Sequence, residues 1–422
     1  MKNRSTKTLA ALVAVLLLGA TLLGCAAPAA STAPAAPAAA GEAAAEPAGA
    51  PSGEPIKIGS LNHVTGVGAS WGVPMQMAIE LAVEELNASG GVLGRPVELI
   101  AEDDNTDTDM ALQKAKKLAL EDKVEAIFGG VWSSIRAAVV TNVADPYKVP
   151  YFYPTYNEGG GTLANCSRYY ICTGMVPNQQ VAEFVPYLIE NYGKKIYLVG
   201  IDEVFITDSW KYIEENQLVE KAGGEIVGKD LTSWEVGDWS ACLQRIQESG
   251  ADIVYPYIGG SEMINFVKQF YDFGMNENMT LASVYLDETF VPSFPEDLRD
   301  GILCSASYFQ SIDTPENQKF VKAFQDKYGT EYGISNCVEG AYTSVMLWAA
   351  AVEKAGVVDK EAMLDALPEV TVNAPSGEVR ISPVNNHAVL HSYIGKCNKD
   401  GTFEVLVDLG MIEPKTACDF TK

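Results

Sequence analysis

The chain has 422 residues and a formal net charge of −25, from 30 basic and 55 acidic side chains. Phosphate recognition needs clustered Lys and Arg, and no basic run here exceeds Lys116-Lys117 or Lys194-Lys195, which argues against nucleic-acid binding. At 47% apolar and 20% charged the chain is neither disordered, collagen-like nor a coiled coil, and its length suits more than one domain.

The first predicted element is an address. Lys2, Arg4 and Lys7 precede an apolar run over residues 9–23, shorter than the ~20 residues of a membrane-spanning helix. The run ends in Leu22-Leu23-Gly24-Cys25, which resembles a bacterial lipobox. That resemblance implies removal of residues 1–24, lipidation of Cys25, and a place on the extracytoplasmic face of the membrane, held by the lipid alone. An uncleaved anchor and an ordinary secretory signal are the alternatives. Losing the three positive charges of residues 1–24 takes the net charge to −28. Residues 25–54 form a tether: 26–54 hold 15 Ala and 5 Pro, without core-forming side chains. As a coil this segment spans roughly 30 Å. About 368 residues remain to fold, which suits two lobes.

The body then alternates. Strand 56–61 is followed by helix 73–86, which Gly90-Gly91 and Gly94 stop, and by strand 96–102. Helix 107–120 has Asp107 as its N-cap; strand 124–128, helix 133–144 and strand 150–153 follow. The pattern resumes with helix 178–192, strand 195–201, helix 208–222, strand 225–231, helix 238–249, strand 252–257, helix 261–273 and strand 279–284. Helices 315–328 and 337–355 come next, and residues 370–409 read as short strands and turns. Apolar strands alternating with helices imply an α/β fold of doubly wound parallel sheets.

In such sheets a ligand sits beyond the carboxyl ends of the strands. The loops at those ends carry Trp71, Trp132, Ser133, Ser134, Tyr153, Thr155, Tyr156, Asp202, Phe205, Tyr257, Ser261, Asp287 and Glu288. Aromatic walls with a few hydroxyls and carboxylates are the lining of a cleft for a small polar molecule. Ser133 and Ser134 also stand at a helix start, where they either meet a ligand carbonyl or carboxylate or merely cap the helix.

Seven Cys follow Cys25, none in a C-x-x-C pair, which leaves zinc and thioredoxin chemistry without support. Spacing suggests Cys166–Cys172 and Cys397–Cys418 bridges, with Cys242 as a free thiol. Gly68-Ala69-Ser70-Trp71-Gly72 matches the G-x-S-x-G nucleophile elbow, but the strand before it ends near Leu61, too early for the tight turn an elbow needs. Gly66, Gly68 and Gly72 miss dinucleotide-binding spacing by one residue. His387 and His391 sit in turn and strand with no further ligand at metal spacing. No catalytic residue, metal site or cofactor is expected.

A wider resemblance then emerges. The stretch from Ala82 to Arg95 (AVEELNASGGVLGR), Phe128-Gly129-Gly130-Val131-Trp132-Ser133-Ser134, Tyr151 to Tyr156 (YFYPTY), Thr173 to Gln180 (TGMVPNQQ), Phe309 to Asn317 (FQSIDTPEN) and Ala374-Pro375-Ser376-Gly377 resemble the type I solute-binding proteins of ABC importers. Within that family the match looks nearest the urea and short-chain-amide branch, beside the branched-chain amino-acid binders. The resemblance implies two lobes joined by a three-segment hinge: 55–176 with 309–373, and 177–308 with 374–422. It implies hinge closure around a solute and docking on a membrane permease. Read on their own, the same residues suit either ligand class. An amide would be flanked by Trp132, Tyr153 and Tyr156, with Thr155, Asp287 or Glu288 accepting its N–H groups. An amino acid would place its carboxylate on the serines and its ammonium on Asp202, Asp287 or Glu288. A sensor that binds the same solute without transport is the further alternative.

Overall fold

The computed structural model describes residues 51–159, 166–233 and 236–422. The signal segment, Cys25 and all but the last four residues of the tether lie outside the described residues.

Two parallel sheets organise two lobes. The first contains β1 (Ile56–Asn62), β2 (Val97–Asp103), β3 (Ile127–Phe128), β4 (Tyr151–Tyr153) and β5 (Tyr170–Cys172), in the order β2-β1-β3-β4-β5. Ile56 faces Val97, and Gly59 faces Ile127. In β1, central in the sheet, every residue but Lys57 is buried, as expected of a strand covered on both faces. The second sheet contains β6 (Lys195–Ile201), β7 (Glu225–Thr232), β8 (Ile253–Tyr257) and β9 (Thr280–Leu281), ordered β7-β6-β8-β9 and parallel throughout.

An antiparallel sheet extends the second lobe. It holds β10 (Leu303–Ala306), β11 (Thr371–Ala374), β12 (Gly377–Ile381), β13 (Ala388–Cys397) and β14 (Phe403–Ile412). A bridge from Ala282 to Leu303 joins it to the end of β9. Between β10 and β11 the chain returns to the first lobe. Helices Pro315–Tyr328 and Asn336–Ala355 pack there on helix Ala69–Ala88. Lys319 pairs with Glu85 at 2.8 Å and Lys327 with Glu84 at 2.6 Å across that seam.

Several elements differ from the sequence expectation. Helix Ala69–Ala88 begins four residues early and carries Pro74 inside it. Gly72 is needed there, because a Cβ would lie 2.1 Å from the His63 carbonyl oxygen. The helix expected over 208–222 is two, Val204–Glu215 and Leu218–Lys221, broken where Gln217 adopts φ +53°. Residues 370–409 hold the short β11 and β12 as expected, but also the ten-residue β13 and most of β14, paired with register shifts near His391 and Ile394. Helix Lys360–Ala366 is not among the expected elements; the Asp359 side chain caps it by accepting from the Glu361 and Ala362 N–H groups.

The expected disulfides are corrected. Cys166 bonds to Cys418, while Cys172 and Cys397 are buried thiols, as are Cys242, Cys304 and Cys337. Cys172 is turned into the core on β5, with its thiol on the Thr155 and Gly174 carbonyls. The C-terminal segment instead passes the exposed Cys166, where the Ala417 N–H donates to Gly159. Among the described residues no helix is long and apolar enough to cross a membrane.

Candidate functional site

A cavity lies between the carboxyl ends of the two parallel sheets. The first lobe contributes Trp71, Val131, Trp132, Ser133, Thr155 and Tyr156; the second contributes Glu203, Phe205, Ile206, Gly259 and Tyr285. Its free volume is ≈ 60 Å³ for the centre of a water-sized sphere.

The loop after β3 enters the cavity because of two glycines. Gly129 and Gly130 take φ +116° and +96°, a region closed to most side chains. A Cβ on Gly129 would stand 2.3 Å from Asn62 Oδ1, and one on Gly130 2.2 Å from the Tyr151 hydroxyl. The Gly130 N–H donates to Asn62 Oδ1 (3.2 Å), and the Thr155 hydroxyl donates to the Gly130 carbonyl (2.8 Å). The next turn is fixed by His63, whose Nε2 accepts the Trp132 N–H at 3.3 Å. That bond places the imidazole proton on Nδ1, which donates to Asp104 at 2.5 Å in a fully buried pair. Both ring nitrogens of His63 are therefore occupied, so His63 is not available to activate Ser70, which is exposed outside the cavity at the start of helix Ala69–Ala88.

Ser133 stands over a buried ion pair. Its hydroxyl donates to Glu158 Oε2 at 3.2 Å, and Arg136 donates to Glu158 Oε1. The two charged side chains are 0% and 1% exposed. The guanidinium also lies 5.1 Å from the Tyr153 ring centre and 5.8 Å from that of Tyr170. Burial pushes the Glu158 carboxyl up, but the Arg136 charge and hydrogen bond prevail and hold it below the usual range.

Aromatic rings make the walls. Trp71 and Trp132 meet edge to face at 5.7 Å. Tyr156 and Phe205 stack at 5.8 Å, as do Phe205 and Tyr285. The Tyr156 hydroxyl points behind the wall, 2.9 Å from the Val284 carbonyl and 3.1 Å from Asp287 Oδ2, and accepts from Asn336 at 3.1 Å. This one side chain thus links the loop after β4, the loop after β9 and the start of helix Asn336–Ala355.

Six expected contact residues line the cavity: Trp71, Trp132, Ser133, Thr155, Tyr156 and Phe205. The others are placed elsewhere. Ser134 is exposed on the far side of the helix start. Tyr153 is buried below, its hydroxyl donating to the Val131 carbonyl. Tyr257 backs the wall, 6.0 Å from Phe205 and 5.9 Å from Tyr285. Ser261 is exposed in an outer hollow beyond Trp132. Asp202 is exposed at the end of β6; its neighbour Glu203, on the extended residue before helix Val204–Glu215, faces the cavity instead. Asp287 is buried behind Tyr156, and burial raises its carboxyl to about 6. Glu288 faces a different cavity. Glu203 and Tyr285 follow directly from the strand-end rule, whereas the Arg136–Glu158 pair carries no sequence signal.

The chemistry of the lining is one-sided. Ser133 and Thr155 donate their protons to protein acceptors, and Ser133 Oγ also accepts from Arg136 at 3.4 Å, so what remains of the two hydroxyls is lone pairs; Glu203 adds a carboxylate to the lining. Among the described residues no Lys, Arg or His lines the cavity. The first N–H groups of the helix beginning at Ser133 have no intrahelical carbonyl.

The Periplasmic binding protein family profile matches residues 55–402. "Leu/Ile/Val-binding protein homolog 8" of Brucella abortus is 27% identical over 295 residues, 65% of this chain and 71% of the relative. An ABC transporter substrate-binding protein from Sphaerobacter thermophilus superposes with a TM-score of 0.75 at 26% identity, covering 87% of this chain and all of the other. The branched-chain amino acid substrate-binding protein LivJ of Streptococcus pneumoniae, in complex with isoleucine, has a TM-score of 0.73 at 23% identity, over 86% of this chain and 100% of its own.

Proposed function

Because the chain belongs to the periplasmic binding protein family, we propose that its solute is a small α-amino acid with an apolar side chain. The protein is the extracytoplasmic solute-binding subunit of an ABC importer, related to the branched-chain amino-acid-binding proteins. The observation that carries the ligand reading is Glu203 among aromatic walls, with hydroxyl lone pairs and no basic side chain among the described residues of the lining. An ammonium meets Glu203, Ser133 and Thr155; the carboxylate meets the helix N–H groups; an aliphatic side chain fills the space between Trp71, Trp132 and Tyr285. The relative named for Leu, Ile and Val supports this over the amide branch.

Glu203, Phe205 and Tyr285 come from one lobe and Trp132, Ser133 and Thr155 from the other, so a solute gripping both sets stabilises the closed arrangement. The crossings between lobes fall near residues 176, 308 and 373 in this reading. Lipidation at Cys25 holds the body at the membrane beside its permease. A urea or short-chain amide is the second reading, favoured by the narrow cavity of ≈ 60 Å³.

Calorimetric titration with Leu, Ile, Val, Ala, urea and acetamide tests the proposal. An aliphatic amino acid should bind, and Glu203→Gln should weaken it by about 1.5–3 kcal/mol, the value of a hydrogen bond to a charged group. Binding of urea or acetamide alone, insensitive to that substitution, would establish the second reading. Silence across the panel would overturn both. Loss of solute uptake when the permease is deleted separates transport from sensing.

A further inference from the structure

We propose that Trp132 sets the upper size of the solute, as the panel between the aromatic cavity and a larger hollow outside it. The inference rests on the reading of the aromatic cavity as the solute site. The outer hollow has a volume of ≈ 590 Å³, against ≈ 60 Å³ for the inner cavity by the same measure. Trp132 and Gly259 line both.

The partition is built from unequal parts. Trp71 lines the inner cavity and Phe290 the outer one, and the two rings meet edge to face at 4.8 Å. Both are buried and belong to the core. Gly259, just before helix Gly260–Asp272, adds backbone alone. Trp132 is only half-buried, and among the described residues it is the one side chain that lines both spaces. Its place is fixed on the side of the first lobe. The backbone N–H donates to His63 Nε2 at 3.3 Å, and the ring meets His63 and Trp71 edge to face at 5.2 and 5.7 Å. A panel held in this way yields little to a longer solute, because overpacking a filled site forces strain on its neighbours.

The hollow beyond suits a longer apolar group. Val67, Ile264 and Phe290 give it apolar surface, and Ser70, Thr289 and Ser293 give it hydroxyls. The Glu262 carboxylate is engaged elsewhere: its Oε2 accepts the Gly237 N–H at 3.1 Å and the Trp239 Nε1–H at 3.0 Å. Val67 and Ser70 precede β2 in the first lobe, whereas Ile264, Thr289 and Ser293 belong to the second. A group reaching past Trp132 would therefore still lie between the lobes. With Trp132 shortened, Glu203, Ser133 and Thr155 keep their places around the polar end, while the space for the rest of the solute runs on into the hollow.

Calorimetry on the full chain compares short and long members of two series: valine, leucine and phenylalanine, and acetamide with 2-phenylacetamide. The readout is the ratio of long to short within whichever series binds, so the size limit and the class of solute fail separately. In the wild type the phenyl member should bind at least about tenfold more weakly than the best short one. Trp132→Ala should weaken the short member by about thirtyfold or more and strengthen the phenyl member at least about tenfold. Trp132→Leu should move the ratio the same way even if the Ala variant proves unstable. Adding Ser293→Trp, which fills the hollow from its exposed rim, should cancel the phenyl gain. A wild type that takes the phenyl member as well as the short one, a ratio unchanged in both Trp132 variants, or a phenyl gain that survives Ser293→Trp would each overturn the proposal. Silence of the wild type across both series would overturn the reading of the cavity itself, and this inference with it.

Discussion

Glu158→Gln removes a charge from the floor of the aromatic cavity and nearly nothing else. The side chain keeps its shape, but Arg136 stays fully buried with a charge that no carboxylate balances. Breaking a buried pair from one side costs about 3–5 kcal/mol, because the stranded ion has lost its solvation. The Tyr153 and Tyr170 rings face the guanidinium in both proteins and so do not change the difference. The expected loss is therefore about 3–5 kcal/mol in chemical denaturation at pH 7. The native Glu158 pKa is depressed, so the wild-type pair contributes stability above the ordinary carboxylate range and loses it as pH falls through the native value. The variant should lack that acid-side loss. Arg136→Met combined with Glu158→Leu should recover most of the stability, since no ion is then left alone. A single Glu158→Gln variant within 1 kcal/mol of wild type, with an unchanged acid limb, would refute the account.

Asp287 gives the opposite sign. Its carboxyl is raised from 3.8 to about 6 by burial, so the folded state holds the proton more tightly than the unfolded chain. Stability should fall as pH rises from about 4 through about 6, by at most about 3 kcal/mol, and Asp287→Asn should flatten that fall in melting curves; a retained slope would assign it to another group. Trp132→Ala should cost about 2 kcal/mol or more of solute affinity by calorimetry, as the ring that meets Trp71 over the cavity, and unchanged affinity would remove it from the site. Cys418→Ser opens a loop closed over a sequence separation of 252 and should destabilise by up to about 5 kcal/mol, with reductant having no further effect; equal stability would mean the bridge contributes nothing.

The α/β alternation was legible because strands covered on both faces are dominated by apolar residues, as in β8, where all five residues are buried. The loops that meet at the cleft followed from that, since strand direction alone places them. What the pattern did not carry was which residue of a loop turns inward. Asp202 and Glu203 are adjacent acids, and only the backbone of the helix cap decides that the second faces the cavity. Asp287 and Glu288 are likewise adjacent, yet one backs Tyr156 and the other opens onto the far side. Arg136, flanked by Ile135 and Ala137, reads as an ordinary helix residue, because its partner lies 22 positions away. Cysteine spacing favoured near neighbours, whereas the true bridge is set by where the C-terminal segment passes in space.

That bridge has a practical consequence for anyone probing the lobes with a protease. Residues 166 to 418 form one covalent ring through the Cys166–Cys418 bond, and the ring contains the whole second parallel sheet and both helices that return to the first lobe. A single cut anywhere within it releases no fragment until reductant is added. A nicked protein would therefore run as intact on a non-reducing gel, and cleavage near residue 308 or 373 would show only after reduction, whereas a cut before residue 166 would separate at once.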